Sequence, residues 1–185
     1  RYYESDEDLG SEYRNVLMRN DGDFQFTNVT ESSNTGIHIR FSFQSVWFDW
    51  DDDGFQDLFI INDKNGANTL FHNLQNGQFE DIATQVGLDI VMDAMTASLG
   101  DYNSDGITDI FITDSGLENN PGCKLFMGTE SGVYIDVSEL TGLDLFEWCW
   151  GAVWMDVDND TDLDLSIAEH HFITPYIENY LYENS

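Results

Sequence analysis

The amino-acid sequence predicts an all-β fold that is built from a repeated unit of four short strands. Two observations indicate this fold. A nine-residue acidic loop occurs three times, at residues 49–57, 101–109 and 156–164, and an apolar run follows each copy. Other short patterns recur with the same period, since the loops start 52 and 55 residues apart. Periods of this length indicate a stacked or radial architecture.

The three loops carry oxygen-bearing side chains at the same positions. Acidic or amide residues stand at loop positions 1, 3, 5 and 9, namely Asp49, Asp51, Asp53 and Asp57, then Asp101, Asn103, Asp105 and Asp109, then Asp156, Asp158, Asp160 and Asp164. Such closely spaced carboxylates repel one another, so a compact loop needs a cation. Calcium fits because it takes about six to eight oxygen ligands in flexible geometry. We expect about three calcium ions, each with a further ligand from the position-7 backbone carbonyl, at Phe55, Ile107 or Asp162.

An EF-hand is the main alternative, because its loop also begins D-x-D-x-D-G. That loop needs a bidentate Glu at position 12 and a helix on each side. Here position 12 is Ile60, Ile112 or Ile167. The position-9 carboxylate instead opens a short apolar run, so the loops are expected to join strand to strand.

Position 6 of the loop differs in the third copy. The first two loops have Gly54 and Gly106, whereas the third has Thr161. Glycine permits the sharp turn because it adopts positive φ without steric cost. The third site is therefore predicted to bind its ion most weakly.

Four strands are predicted in each repeat. The first ends at the loop and carries a small residue four positions before it, at Ser45, Ala97 and Ala152. The second is the apolar run after the loop, at 58–61, 110–112 and 165–168. The third occupies 69–73, 124–128 and 180–184, with a further copy at 16–20. The fourth follows Asn- and Gly-rich turns and contains Phe26, Phe79 or Tyr134.

Four-stranded units that repeat radially form a β-propeller, whose first strands line a narrow channel where small residues fit. We predict an incomplete propeller with two full blades flanked by two partial blades. The expected divisions are an acidic loop or tail at 1–14, the end of the first partial blade and a linker at 15–45, full blades at 46–93 and 94–150, and a partial blade at 151–185. The remaining blades are expected from a longer chain or from self-association.

The repeat resembles the FG-GAP or VCBS repeat of integrin α-subunit propellers and of many secreted bacterial proteins. The resemblance rests on D-x-D-x-D-G-x-x-D-L-F-I at 49–60, on D-x-N-x-D-G-x-x-D-I-F-I at 101–112, and on L-F-x-N with G-x-F-x-D-I within 70–82. It implies calcium at the loop positions named above. It also implies that the ions are structural and that ligands bind at the opposite rim, at about 63–67, 86–93, 115–122, 143–149 and 169–178.

The function that this resemblance implies is a calcium-stabilised extracellular or cell-surface scaffold for binding or adhesion, with a protein or glycan ligand and no enzymatic activity. The alternative is the propeller portion of a secreted polysaccharide-acting enzyme such as a lyase. A lyase would need a set of Tyr, His or Lys side chains in the ligand-face loops. The sequence offers only Lys64, Lys124 and the adjacent His170 and His171 there.

Charge excludes some partners. The chain has a formal charge of −30, from 36 acidic residues against 6 Lys and Arg. Nucleic acid and anionic membranes would repel it. No apolar stretch approaches the roughly 20 residues of a membrane span, so membrane insertion is not expected.

Two further features leave alternatives open. Cys123 and Cys149 are compatible with a disulfide or with two buried thiols. Trp148, Trp150 and Trp154 alternate before the third loop, which predicts that they share one face of a strand and pack in the core rather than against a sugar.

Overall fold

A computed structural model of the chain describes residues 14–64, 66–116, 121–169 and 179–184. It divides into two compact units, the first ending at Val91 and the second beginning at Met92. Each unit contains one complete and one partial antiparallel sheet.

The first unit begins with a two-stranded sheet of β1 (Met18–Gly22) and β2 (Gln25–Asn28). Its second sheet has four strands in chain order, which are β3 (Phe41–Phe48), β4 (Asp57–Asp63), β5 (Thr69–Asn73) and β6 (Phe79–Asp81). A single-turn helix, α1 (Ala83–Val86), follows. Strand β3 therefore begins within the region that the sequence pattern assigned to a linker.

The second unit repeats this arrangement. Its four-stranded sheet contains β7 (Ala94–Gly100), β8 (Asp109–Asp114), β9 (Lys124–Met127) and β10 (Ile135–Asp136). Helix α2 (Ser138–Thr141) leads to a three-stranded sheet of β11 (Cys149–Met155), β12 (Asp164–Glu169) and β13 (Asn179–Tyr182). We call the four sheets blades 1 to 4 in chain order.

These sheets confirm the predicted fold class, an all-β chain with two full and two partial blades of an incomplete β-propeller. Every strand pair is antiparallel, and each full sheet has its strands in sequence order. Each strand is thus joined to the next by a loop at one end of its sheet.

The second strands form the centre of each full blade. All residues of β4 and β8 are buried, as their unbroken apolar runs predicted. Within the second unit, Phe111 of β8 and Leu165 of β12 belong to one cluster of buried residues. Trp154 of β11 packs against this cluster, and the centroid of its ring lies 6.4 Å from the ring centroid of Phe111. Apolar burial between blades 3 and 4 therefore holds this unit together.

The two short helices were not predicted from the sequence. Each starts where an aspartate accepts a backbone hydrogen bond, from Ala83 N–H to Asp81 and from Ser138 N–H to Asp136. Each ends at a glycine in the left-handed region, which is Gly87 at φ 81° or Gly142 at φ 72°. The aspartates thus mark the start of each short helix after the fourth strand, and the glycines mark its end.

The three tryptophans before the third loop do not share one face, so that prediction is wrong. A bulge between Cys149 and Gly151 shifts the register of β11 against β12. As a result Trp154 packs on the core, whereas Trp150 is 45% exposed and stacks on Trp148 with 6.0 Å between ring centroids.

Candidate metal centres

The three acidic loops occupy equivalent places in blades 2, 3 and 4. Each joins the first strand to the second, between β3 and β4, between β7 and β8, and between β11 and β12. Within the described residues no helix flanks any of the three loops, which agrees with the strand-to-strand prediction and not with an EF-hand.

The position-9 carboxylate ties each loop to two other parts of its blade. These residues are Asp57, Asp109 and Asp164, and none is more than 1% exposed. One oxygen accepts the N–H of loop position 2, from Trp50 at 2.8 Å, Tyr102 at 3.0 Å and Val157 at 2.8 Å. The other accepts an N–H at the end of the third strand, from Asn73 at 2.7 Å, Gly128 at 2.8 Å and Asn184 at 2.9 Å. We call this pair of bonds the position-9 clamp.

Position 1 folds the turn onto itself. Its two carboxylate oxygens accept backbone N–H groups from within the loop, with Asp49 bonded to Asp53 and Gly54, Asp101 to Asp105 and Gly106, and Asp156 to Asn159 and Thr161. In the third loop, the position-1 carboxylate therefore accepts the N–H of position 4, whereas in the other two loops it accepts the N–H of position 5.

Position 5 carries the next carboxylate. In each loop one of its oxygens accepts the N–H of position 7, from Phe55 to Asp53, Ile107 to Asp105 and Asp162 to Asp160, at 2.8 to 3.0 Å. These bonds direct the position-7 amide N–H toward position 5. A ligand role for the carbonyls of position 7 stays a prediction.

Two residues in each loop adopt the left-handed region. At position 4 these are Asp52, Ser104 and Asn159, with φ between 57° and 65°. At position 6 they are Gly54 at 88°, Gly106 at 87° and Thr161 at 83°. The expectation that position 6 needs positive φ is thus confirmed, and Thr161 adopts it despite a branched Cβ. For a residue with a Cβ this conformation costs about 1–2 kcal/mol.

The folded loops bring potential ligand atoms together. In the first loop, one oxygen each from Asp49, Asp51 and Asp53 lie within 4.8 Å of one another. In the third loop the same holds for Asp156, Asp158 and Asp164.

The second loop has an amide at position 3. There Asn103 Oδ1 accepts the N–H of Asp105 at 3.1 Å, and Asn103 Nδ2 donates to Asp105 Oδ2 at 2.9 Å. The amide therefore partly offsets the charge of Asp105 in this loop.

His72 is a neighbour of the first loop that the sequence analysis did not identify. Its Nδ1 lies 3.1 Å from Asp57 Oδ1 and 4.0 Å from Asp51 Oδ2, and its ring packs edge-on against Trp50. At the equivalent third-strand position the other repeats have Met127 and Glu183. The sequence alone carries no signal for it, because His72 reaches Asp57 only when the third strand returns to the loop. His72 orients Asp57 by a hydrogen bond, which the other two loops lack among the described residues.

The structure disfavours the ionised form of two loop carboxylates, as their raised pKa values indicate. Burial raises the pKa of Asp109 to about 6, although N–H groups of Gly128 and Tyr102 oppose this shift. Burial, and then the charge of Asp53, raises the pKa of Asp51. Both shifts mean that the ionised form is disfavoured in the absence of a cation. The chemistry of the donor set, which is carboxylate and amide oxygens, is what calcium prefers.

The opposite ends of the strands carry the segments predicted to bind a ligand. In blade 2 the connection from β4 to β5 bonds to the segment after α1, through Asn68 N–H and Ile90 O at 3.0 Å. In blade 3 the equivalent bond runs from Cys123 N–H to Leu145 O at 2.8 Å. Parts of these segments, at 65, 117–120 and 170–178 with His170 and His171, lie outside the described residues.

Repeated four-stranded antiparallel sheets, with an acidic loop between the first and second strands, define a β-propeller-type repeat protein. Comparison with known families matches the FG-GAP-like repeat at residues 49–112 and again at 101–166. Both matches begin at the first residue of an acidic loop, and together they cover more than half of the chain. The chain therefore belongs to the FG-GAP-like repeat family, as the motifs predicted.

Comparison with curated proteins gave no match. Among the described residues, no helix is long and apolar enough to cross a membrane.

Proposed function

We propose that the chain is a calcium-stabilised, extracellular binding or adhesion scaffold. FG-GAP-like repeats are typical of propeller domains that bind other molecules, and they often bind calcium. The observation that carries the proposal is the threefold loop geometry. Each loop has the same clamp at position 9 and the same two left-handed positions, and the first and third loops each bring three carboxylates within 4.8 Å of one another.

In this proposal the ions act on structure and take part in no reaction. A calcium ion would attract the carboxylates of positions 1, 3, 5 and 9 and remove their mutual repulsion. Position 9 is clamped to the third strand. An ordered loop would therefore also hold the loop-side ends of the first three strands in place. Blades 2, 3 and 4 would each be fixed in this way.

The ligand would bind at the opposite strand ends, which are free of the acidic loops. The two lysines there are already paired, Lys64 with Asp63 at 2.8 Å and Lys124 with Asp136 at 3.1 Å. This pairing disfavours either as a catalytic base and supports a protein- or glycan-binding role over a lyase. The strong negative charge of the chain favours cationic or neutral partners.

A glycan array combined with a lyase assay tests the binding role. We expect binding of a glycan or of a protein ligand without release of an unsaturated sugar product. Formation of that product, lost in a Lys64→Met variant, would favour the enzyme instead. The matched control is Asp53→Ala, since it lies in a metal loop. It should leave ligand binding unchanged in calcium-saturated, folded protein.

Calorimetric titration of calcium tests the ion and the compartment together. We expect about three sites with dissociation constants near 10⁻⁴–10⁻³ M, the range of extracellular modules. Absence of heat on titration would contradict the calcium proposal. Nanomolar affinity would contradict the extracellular assignment while leaving the sites intact.

The partial blades bear on assembly. Among the described residues, β1 pairs with β2 alone and β13 with β12 alone. Their outer edges support pairing with further strands, from the rest of a longer chain or from a second copy. Light scattering at increasing protein concentration distinguishes the two sources of strands. Only pairing with a second copy gives a molecular mass that rises with concentration.

A further inference from the structure

The two cysteines of the chain meet in the interior of the second unit. Cys123 stands directly before β9 in blade 3, and Cys149 is the first residue of β11 in blade 4. Both are fully buried and belong to the same apolar cluster as Phe111 and Leu165. Both are free thiols in the structure, and the neighbouring Cys123 thiol is the main cause that raises the pKa of Cys149.

Backbone contacts hold the two sulfur-bearing segments in place. The N–H of Cys123 donates to Leu145 O at 2.8 Å, just ahead of β11, and the Cys123 sulfur accepts the N–H of Asp114 at 3.4 Å. The approach is close, since a Cβ at Gly122 would lie 2.8 Å from the oxygen of Leu145. Strand β11 is itself fixed by pairing of Cys149 with Glu169. The thiols are therefore neighbours because of the fold, and not by chance rotation of exposed side chains.

We propose that Cys123 and Cys149 form a disulfide that joins blade 3 to blade 4 when the chain folds in the presence of a small-molecule disulfide oxidant. One thiolate attacks the oxidant and forms a mixed disulfide, and one oxidant thiol leaves. The second cysteine thiolate then attacks the mixed disulfide and releases the second oxidant thiol. The chain loses two hydrogens, and the oxidant is reduced to two thiols.

The bond has to form before the core closes. In the folded chain the hydrogen bond to Cys123, and then burial, raise the pKa of Cys149 above its ordinary range, so its reactive thiolate is scarce. The same burial shields the finished disulfide from reductants. A bond between residues 26 apart in sequence also restricts the unfolded chain, which stabilises the folded state. The cross-link would act on the contact between blades 3 and 4, to which Tyr102 of the second acidic loop also contributes through Asn184 and Trp154.

The test is refolding of the unmodified chain with calcium, in a glutathione redox buffer and in excess reductant. Each sample is denatured and alkylated without prior reduction, and its intact mass is measured by mass spectrometry. We expect the oxidised sample to lack two hydrogens, to take up no alkylating agent and to yield one cross-linked peptide that contains both cysteines. Its melting temperature should rise by about 10 °C over the reduced sample.

Single variants supply the control. In Cys123→Ala and Cys149→Ala the remaining thiol has no partner within the chain, so the redox buffer should not change their melting temperature. Two alkylated thiols, glutathione adducts or cross-linked dimers from the unmodified chain would each overturn the proposal. The cross-link is measured by mass and calcium binding by calorimetry, so either proposal can fail without the other.

Discussion

Thr161 is the residue at which one loop departs from its siblings. It holds φ at 83° where the other loops have glycine, and its N–H still donates to Asp156. Replacing it by glycine should relieve strain in the ordered loop. We expect Thr161→Gly to tighten calcium binding at the third site by up to roughly tenfold, which is about 1.4 kcal/mol.

The converse change is the matched control for this prediction. Gly106→Thr places the same strain in the second loop and should weaken that site by a similar factor. Calorimetric calcium titration of both variants checks the pair. Unchanged affinities in both would show that the metal-free loop already carries the strain, so that binding does not report it.

Asp57 has two roles that a substitution can separate. It is a predicted ligand, and it also closes the position-9 clamp on two backbone N–H groups. Asp57→Ala leaves those groups without their acceptor, so it should cost about 2–4 kcal/mol of unfolding free energy even in EDTA. Urea unfolding in EDTA measures this cost.

Asp51→Ala serves as the comparison for Asp57. Its carboxylate lies in the same loop, and burial together with Asp53 disfavours its charge. In EDTA its removal should therefore be neutral or slightly stabilising. Equal losses for the two variants would mean that the clamp contributes nothing beyond metal binding.

At the scale of elements, the central strands carry the stability of each blade. Phe111 of β8 is fully buried and contacts the ring of Trp154 in the next blade. Phe111→Ala should lower the unfolding free energy by about 3–5 kcal/mol, because it leaves a cavity. Phe24 is 99% exposed in the turn between β1 and β2, so Phe24→Ala should change it by less than about 0.5 kcal/mol. Thermal or urea unfolding in calcium compares the two, and similar losses would contradict the proposed core.

The elements that the sequence predicted are those with a local signal. The continuous apolar runs of β4 and β8 and the repeated acidic loops depend on residues close in sequence. The bulge in β11 depends on pairing with β12, so alternation alone misplaced Trp150. The position of His72 beside Asp57 depends on the third strand returning to the loop. Such features require the fold to be known first.

For the whole molecule, charge and calcium act against each other. The formal charge of −30 opposes compaction, and three ions would offset only six charges. We expect chelation to lower the melting temperature of the entire chain, since calcium at 100 times the dissociation constant stabilises by about 2.7 kcal/mol per site. Thermal melts in EDTA and in millimolar calcium test this expectation. A sample in millimolar magnesium is the control for a general effect of divalent cations. Identical midpoints in EDTA and in calcium would rule out structural calcium.

The position-9 clamp also sets an order of events during synthesis. Its second donor lies 16, 19 or 20 residues after the aspartate, at the far end of the third strand. When only the first two strands of such a blade have left the ribosome, they form a hairpin whose acidic loop still lacks the second hydrogen bond of the clamp. The loop becomes complete only after that later segment has left the ribosome and docked. If the loops bind calcium as proposed, blades 2, 3 and 4 would each gain their ion only after the third strand has docked, so calcium uptake would mark the assembly of each of these blades.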